Sequence, residues 1–510
     1  AFIPNEFKYD GKEAFNYGMI NLIERATLFS NRTAIKSDGK DRSYLQLLER
    51  SNEISSNLLD NKTDLNEDRI AFLLPSSFEY AAVQWGIWRA GGVAVPLCEK
   101  HPLSSIKYVL DDTRASTVLY SKSFEELLSP LFKKTNVRFI EYSSVPKASC
   151  LLPEVSTKRR ALILYTSGTT GLPKGVVTTH ANIEAQITAL TNSWEWNKDD
   201  HVLNVLPLHH IHGIVNMLCC ALWSGACCEF ISKFDAKVIF DKFCEEDVNV
   251  FMAVPTIYYK LITFFNKLPE KDKEDISKKL LKFRLMVSES AALPFSVLEE
   301  WQEISGHTLL ERYGMTEIGM AISNPYNGIR KPGHIGQPLH GVSIRIADES
   351  NQSLPDGSSG EIQIKGPGVF KEYWGKSKAT DEAFTATGWF KSGDIAVYNK
   401  DSFKILGRNS VDIIKSGGYK ISALEIEEVL RTHSQISDCG VVGIPDLEWG
   451  EIIGAGVVLK DKKLKTSDII DWLKDKLPSY KTPRKYVFIQ DLPKNVMGKV
   501  TKKEIKKLFT

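Results

Sequence analysis

The chain reads as an α/β protein with three parts: a large N-terminal domain of two parallel-type sheets with helices, a small β-barrel appended to them, and a small α+β C-terminal domain. Three observations predict this. Short apolar runs alternate with amphipathic stretches of helical length over roughly the first four-fifths of the chain, the pattern of strands buried on both faces. Between Gly333 and Gly366 the texture changes to short alternating runs separated by Gly, Pro and Asp. Beyond Gly407-Arg408 about a hundred residues carry apolar segments and helices of their own, enough for a separate core.

Taken in order, Arg69 to Leu74 (RIAFLL) reads as a buried strand, Phe78 to Ala90 as a helix and Gly92 to Pro96 (GVAVP) as the next strand. The pattern recurs at Thr117 to Tyr120 and Val248 to Val254. Strand, helix and strand with short connections imply parallel pairing under covering helices. Val342 to Ala347 (VSIRIA) and Glu361 to Lys365 (EIQIK) alternate as barrel strands do, and Phe403 to Leu406 closes that region. The division falls at residues 1–407 and 408–510. In the second part Cys439 to Ile444 and Ile453 to Leu459 are the apolar segments, Ala423 to Thr432 and Ser467 to Lys476 the helices.

Composition narrows the function. With 65 Lys+Arg against 63 Asp+Glu the 510-residue chain has a net charge of +2, so bulk charge does not recruit nucleic acid or an anionic membrane. No stretch approaches the roughly 18 apolar residues of a membrane span; the best, Ile214 to Trp223, is short and contains Asn216. Eight cysteines, two adjacent pairs among them and no CxxC, read as small buried hydrophobes in a reducing compartment. The lysines at the end (Lys499, Lys502, Lys503, Lys506, Lys507) read as a solvated helix face. A first residue of Ala1 implies a trimmed N-terminus or a longer precursor.

The strongest chemical signal is Tyr165-Thr166-Ser167-Gly168-Thr169-Thr170-Gly171-Leu172-Pro173-Lys174-Gly175, directly after the apolar run Ala161 to Leu164. Three glycines let backbone amides approach a polyphosphate, four hydroxyl residues add donors, and Lys174 supplies a point charge. The P-loop spacing GxxxxGK[ST] is absent, so this phosphate cradle is of another kind.

Four further motifs follow in order: Arg312-Tyr313-Gly314-Met315-Thr316-Glu317; Gly388-Trp389-Phe390-Lys391-Ser392-Gly393-Asp394; Leu406-Gly407-Arg408 leading to Asp412 and Gly417-Gly418-Tyr419-Lys420; and Pro493-Lys494-Asn495-Val496-Met497-Gly498-Lys499. With them the chain resembles, from about Arg32 to its end, the adenylate-forming superfamily of acyl-CoA synthetases, peptide-synthetase adenylation domains and luciferases. The resemblance implies ATP, Mg²⁺ and CoA. It implies that Thr166, Ser167, Gly168, Thr169, Thr170, Gly171 and Lys174 hold the β- and γ-phosphates, that Thr316 touches the α-phosphate and that Glu317, a hard oxygen ligand, binds Mg²⁺. Asp394 would clamp both ribose hydroxyls, and Arg408 would add a ribose or phosphate contact or, alternatively, a salt bridge at the domain boundary.

By the same resemblance Lys499 is the catalytic lysine of adenylation, bridging the attacking carboxylate and the α-phosphate from a mobile C-terminal domain. Rotation of that domain would withdraw Lys499 and bring Gly417, Gly418 and Lys420 to the CoA thiol arm, about a hinge between Arg408 and Asp412. Asn409-Ser410-Val411 departs from the commoner hinge pattern and leaves the pivot residue open.

Arg312, just before YGMTE, speaks to the acid. If it points into the acyl pocket, a long-chain acid leaves a buried guanidinium unpaired at a cost on the order of 3 to 5 kcal/mol. A second carboxylate would pair with it bidentately. ERYGMTE, with Pro207-Leu208-His209-His210-Ile211-His212-Gly213 and Arg284-Leu285-Met286-Val287-Ser288, resembles the malonyl-CoA synthetases, nearest the mitochondrial animal type. His212 would then line the acyl pocket, or else serve as an aromatic gate or packed core histidine; Ser288 is grouped with the acyl-binding residues, and Arg330 is a weaker second cation. Glu289, where relatives have Gly, could crowd or repel a dicarboxylate.

The expected activity is ATP-dependent ligation of malonate to CoA through an acyl-adenylate, with methylmalonate as a second substrate because one methyl discriminates weakly. The alternatives are a CoA ligase for another short or medium-chain acid and a catalytically silent ATP-binding protein. The partners expected are small molecules, with no nucleic acid and no membrane span; oligomeric state is open, a monomer being compatible. The resemblance puts the protein in the mitochondrial matrix, with the cytoplasm as the alternative.

Overall fold

The computed structural model describes residues 20–133, 135–166, 172–231, 233–245, 247–288, 293–417, 419–460, 464–494 and 500–509. Two large sheets dominate. The seven-stranded sheet runs in the order Glu372–Tyr373, Lys174–Thr179, Arg160–Thr166, Val93–Pro96, Arg69–Leu73, Thr117–Tyr120, Arg138–Glu141, parallel from Arg160–Thr166 onward and antiparallel at the other edge. The nine-stranded sheet is parallel through Leu310–Met315, Leu285–Ser288, Val250–Ala253, His201–Asn204, Cys227–Phe230 and Thr33–Ser37, with antiparallel strands on both edges. The runs read as strands are strands. Ile70 to Leu73 are all buried because helices cover both faces, so nothing forces alternation.

The helix Phe78–Arg89 shows why the two sheets form one body. Ser77 accepts from the Tyr80 N–H to cap it, and nearly every residue from Phe78 to Trp88 is buried. A helix apolar all round belongs inside a core. It packs on Tyr44–Leu59 so closely that a Cβ on Gly86 would lie 2.6 Å from Ile54 Cγ2. Trp85 and Trp88 fill the space between, in an apolar cluster fed by both sheets. Separate clusters cover the outer faces, around Phe251, Tyr258 and Trp301 on one sheet and around Leu73, Val118 and Ile163 on the other.

The region read as a small barrel is a four-stranded antiparallel sheet ordered Ser343–Ala347, Ser359–Lys365, Phe390–Asn399, Ser402–Arg408. Its outer strands do not pair with each other among the described residues, so it is open where the sequence suggested closure. The Phe403 edge bridges Gly336 instead.

A five-stranded sheet built from Ile413–Ser416, Tyr419–Ser422, Ile436–Asp446, Gly450–Leu459 and Lys485–Ile489 follows, with its own apolar clusters around Ile426, Val441, Ile469 and Ile505. The helix Lys502–Lys507 corrects one expectation. Lys503 and Lys507 are solvated, but the Lys502 side chain is only 10 % exposed, its ammonium 2.8 Å from Asp412 and 2.5 Å from Glu427. Of the eight cysteines, Cys98, Cys219, Cys220, Cys228 and Cys439 are buried thiols, as the sequence suggested, whereas Cys150 is exposed.

Candidate active site

The candidate side chains come from both large sheets: Thr166 ends the strand before the glycine-rich loop, Ser288 ends its parallel strand, Arg312 lies on the strand Leu310–Met315 and Glu317 just beyond it. On the phosphate side, Arg160–Thr166 runs into the glycine-rich loop and Lys174–Thr179 returns from it, with Thr166 opposite Lys174. Ser167, Gly168, Thr169, Thr170 and Gly171 lie outside the described residues. The loop's flanks are fastened. Tyr108 donates its hydroxyl to the Pro173 carbonyl at 2.9 Å, and Tyr165 donates to Asp112 Oδ2 at 2.5 Å. Asp112 also takes Lys376 Nζ at 3.3 Å and, on its carbonyl, Trp374 Nε1 at 3.1 Å. The sequence held no signal for Asp112, since its partners lie far along the chain.

Thr316 and Glu317 sit in the tight turn between Leu310–Met315 and Gly319–Ser323. A side chain at Gly314 would come within 2.1 Å of the Gly319 carbonyl oxygen, so the turn admits only glycine there. Glu317 is buried; Tyr373 donates its hydroxyl to Oε1 at 2.9 Å, and Phe370 N–H donates to the Glu317 carbonyl at 2.7 Å. Burial lifts the Glu317 carboxyl above its ordinary range, against the pull of the Tyr373 hydrogen bond and of Arg408 and Lys174. A buried hard-oxygen donor short of positive charge fits Mg²⁺, which takes one or two carboxylates and leaves the remaining positions to water and substrate phosphates.

Asp394 and Arg408 face each other across paired strands. Arg408 Nε lies 3.0 Å from Asp394 Oδ1, and Tyr313 donates its hydroxyl to Oδ2 at 2.5 Å. Of the two roles the sequence left to Arg408, this geometry contains the salt bridge, made with Asp394 itself. A carboxylate offers about four lone-pair sites, so acceptors remain for a vicinal diol.

On the acyl side, Arg312 is 6 % exposed and its Nη1 stands 2.7 Å from His212 Nε2. A guanidinium only donates, so His212 accepts at Nε2 and is the neutral tautomer protonated on Nδ1. His212 opens a π-helical segment, His212–Cys219, a distortion that is frequent at functional sites. Behind it a Cβ at Gly213 would strike the Pro207 carbonyl at 2.4 Å. Ser288 Oγ is buried with no hydrogen-bond partner among the described residues, which a ligand or water would supply. Arg330 does not join this group: its guanidinium is used on the Thr308, Tyr326 and Pro325 carbonyls, which holds its own loop together. Arg284 is likewise taken up, by Asp200 at 2.5 and 2.6 Å. Glu289 lies outside the described residues.

In the C-terminal sheet Gly417 has φ +56° and donates its N–H to the Trp449 carbonyl at 2.9 Å. A Cβ there would meet the Trp449 ring at 2.8 Å, and Arg484 covers that ring at 4.0 Å. Gly418 and Lys499 lie outside the described residues; Lys420 is placed by its backbone, opposite Lys415. At the join of the last two sheets Asp412 is held from both sides: Arg408 N–H donates to Oδ2 at 3.0 Å, while Lys502 sits 2.8 Å from Oδ1.

The model of the AMP-binding enzyme family matches residues 22–374, and that of the AMP-binding enzyme C-terminal domain matches residues 425–499. The chain is 43 % identical to a mitochondrial malonate–CoA ligase of Xenopus laevis, over 96 % of this chain and 91 % of that one. Among solved structures it is similar to ATP-bound MatB from Rhodopseudomonas palustris, with TM-score 0.88 and 31 % identity over 96 % and 99 % of the two chains. It is also similar to the o-succinylbenzoate coenzyme A synthetase of Bacillus subtilis in complex with ATP and magnesium ion, with TM-score 0.83 and 27 % identity over 96 % and 99 %.

Proposed function

This chain belongs to the AMP-binding enzyme family, and from that premise we propose that it ligates malonate to CoA through a malonyl-adenylate, releasing pyrophosphate and AMP. The class, an AMP-forming acid–thiol ligase using ATP, Mg²⁺ and CoA, follows from the family. The observation that carries the acid is the buried Arg312 guanidinium held by His212 on the acyl side. A fixed cation there suits an acid with a second carboxylate and opposes a fatty chain. Methylmalonate differs by one methyl, which such a site discriminates weakly.

In this reading Thr166 to Lys174 and Thr316 bind the polyphosphate, and Glu317 would hold Mg²⁺, whose charge would offset that of the polyphosphate. Asp394 binds the ribose with Arg408 orienting its carboxylate. Lys499 stabilises the charge that develops between carboxylate and α-phosphate. Gly417, Gly418 and Lys420 face the CoA arm after the C-terminal part, divided from the rest near Gly407, has turned. Ser288 closes the acyl side. The mitochondrial relatives support placement in the mitochondrial matrix. No helix among the described residues is long and apolar enough to cross a membrane.

The deciding experiment is thioester formation with ATP, Mg²⁺, CoA and, in turn, malonate, methylmalonate, acetate, succinate and octanoate. Malonate should lead by at least about tenfold over succinate and more over octanoate. Equal or better turnover of octanoate would remove the dicarboxylate reading.

A further inference from the structure

Tyr373 touches both halves of the phosphate–metal site, one with its hydroxyl and the other with its ring. It lies on the two-residue strand Glu372–Tyr373 at the edge of the seven-stranded sheet, opposite Val176. Its N–H donates to Thr380 Oγ1 at 3.0 Å and its ring packs on Phe370 at 4.8 Å, so backbone and ring are both fixed. From that position the hydroxyl reaches Glu317 Oε1 at 2.9 Å, at the end of a strand of the other large sheet. The ring face meets Lys174 Nζ at 4.8 Å, on the strand that leaves the glycine-rich loop. The residue is buried, which strengthens both contacts by keeping water away from them.

We infer that Tyr373 is a positioning residue that couples polyphosphate binding to metal binding: its hydroxyl aims the Glu317 carboxylate, and its ring steers the Lys174 ammonium. The two contacts belong to different sheets, so one rigid side chain sets the spacing between the metal carboxylate and the phosphate cation. This rests on the assignment of Glu317 to Mg²⁺ and Lys174 to phosphate made above. It does not depend on which acid is activated.

The test is calorimetric ATP binding to the full chain without acid or CoA, once with excess Mg²⁺ and once with a chelator. Tyr373→Phe keeps the ring and nearly the volume, so the fold should survive. It should weaken Mg²⁺–ATP binding about tenfold, the worth of one hydrogen bond to a buried charge, and leave metal-free ATP binding within about twofold. Tyr373→Leu should in addition weaken metal-free ATP binding about fivefold through loss of the cation–π contact. In a Lys174→Met background Tyr373→Leu should add nothing further to that metal-free loss. Unchanged Mg²⁺–ATP affinity in Tyr373→Phe overturns the hydroxyl's role, and a further metal-free loss in the Lys174→Met background overturns the ring's. Failure to activate malonate with these binding differences intact would strike the substrate reading alone.

Discussion

The two large sheets and the C-terminal five-stranded sheet treat their candidate residues differently. In the N-terminal part Arg312 and Glu317, on or beside a strand of a large sheet, and Asp394, on the four-stranded sheet, are buried and each is held by a named neighbour: His212, Tyr373, and Arg408 with Tyr313. In the C-terminal sheet the corresponding surface is open. Tyr419 is 55 % exposed and stacks on a half-open Tyr480 at 4.6 Å, and Gly417 contributes backbone against Trp449. Under the proposed turn of the C-terminal part, the difference separates what is preorganised from what is delivered. Groups that stabilise charge in the transition state gain from a fixed, dry setting, whereas groups that arrive and leave need a surface that docks weakly.

Breaking the delivered half should have the largest effect. Lys499→Ala is expected to slow malonate-dependent ATP–pyrophosphate exchange about 10²- to 10³-fold while leaving thioester formation from preformed malonyl-adenylate within about twofold. Unchanged exchange would refute the assignment. Breaking the preorganised half comes next. Arg312→Met should lower kcat/KM for malonate about 10²-fold with little change in the KM for ATP, and should narrow the gap to octanoate. A parallel fall for every acid would make Arg312 structural.

Asp412 stands at the proposed hinge, accepting from Arg408 on one oxygen and pairing with the largely covered Lys502 on the other. Asp412→Asn should slow thioester formation about tenfold and leave exchange within about twofold, because only the second step needs the turn. Equal losses in both steps would place Asp412 outside the hinge.

A smaller effect concerns stability against pH. Burial pushes the Glu311 carboxyl up to about 7, aided by the charge of Glu428 on the helix Ala423–Arg431 and opposed by the Gly333 N–H. An acid raised on folding holds its proton longer in the native state, so Glu311 favours the fold at low pH and loses that contribution as pH rises from its ordinary value, about 4.5, to about 7. Thermal melts of Glu311→Gln should therefore lose less stability than the parent between pH 5 and pH 7; identical profiles would show that the carboxyl is not held up. The smallest change expected is in Glu289→Gly, which should shift the malonate KM by no more than about twofold; a tenfold gain would show Glu289 crowding the acid.

Much of the body was legible in the chain. Arg69–Leu73, Phe78–Arg89 and Val93–Pro96 declared themselves because a strand covered on both faces is continuously apolar and a core helix is apolar all round. The Gly-Thr loop and ERYGMTE suggest polyphosphate and metal binding because such binding restricts residue type. Legibility failed where pairing crosses the chain. Arg330 was the weaker second cation beside Arg312, yet backbone carbonyls occupy it. Lys502 looked like one more surface lysine, yet Asp412 and Glu427 enclose it. The barrel read from alternating strands is open, because alternation reports which face is buried and not whether the outer strands meet.

By itself, the sequence determined the element types, the family and the chemical kinds of group present, since periodicity and residue type are local properties. Only the tertiary structure decided which of these groups act together. Tyr373 meets Glu317 across 56 residues, Arg312 meets His212 across 100, and Lys376 meets Asp112 across 264. Such meetings are set by the order in which strands pack into sheets, and that order is a property of the whole core, which no short stretch of the chain contains.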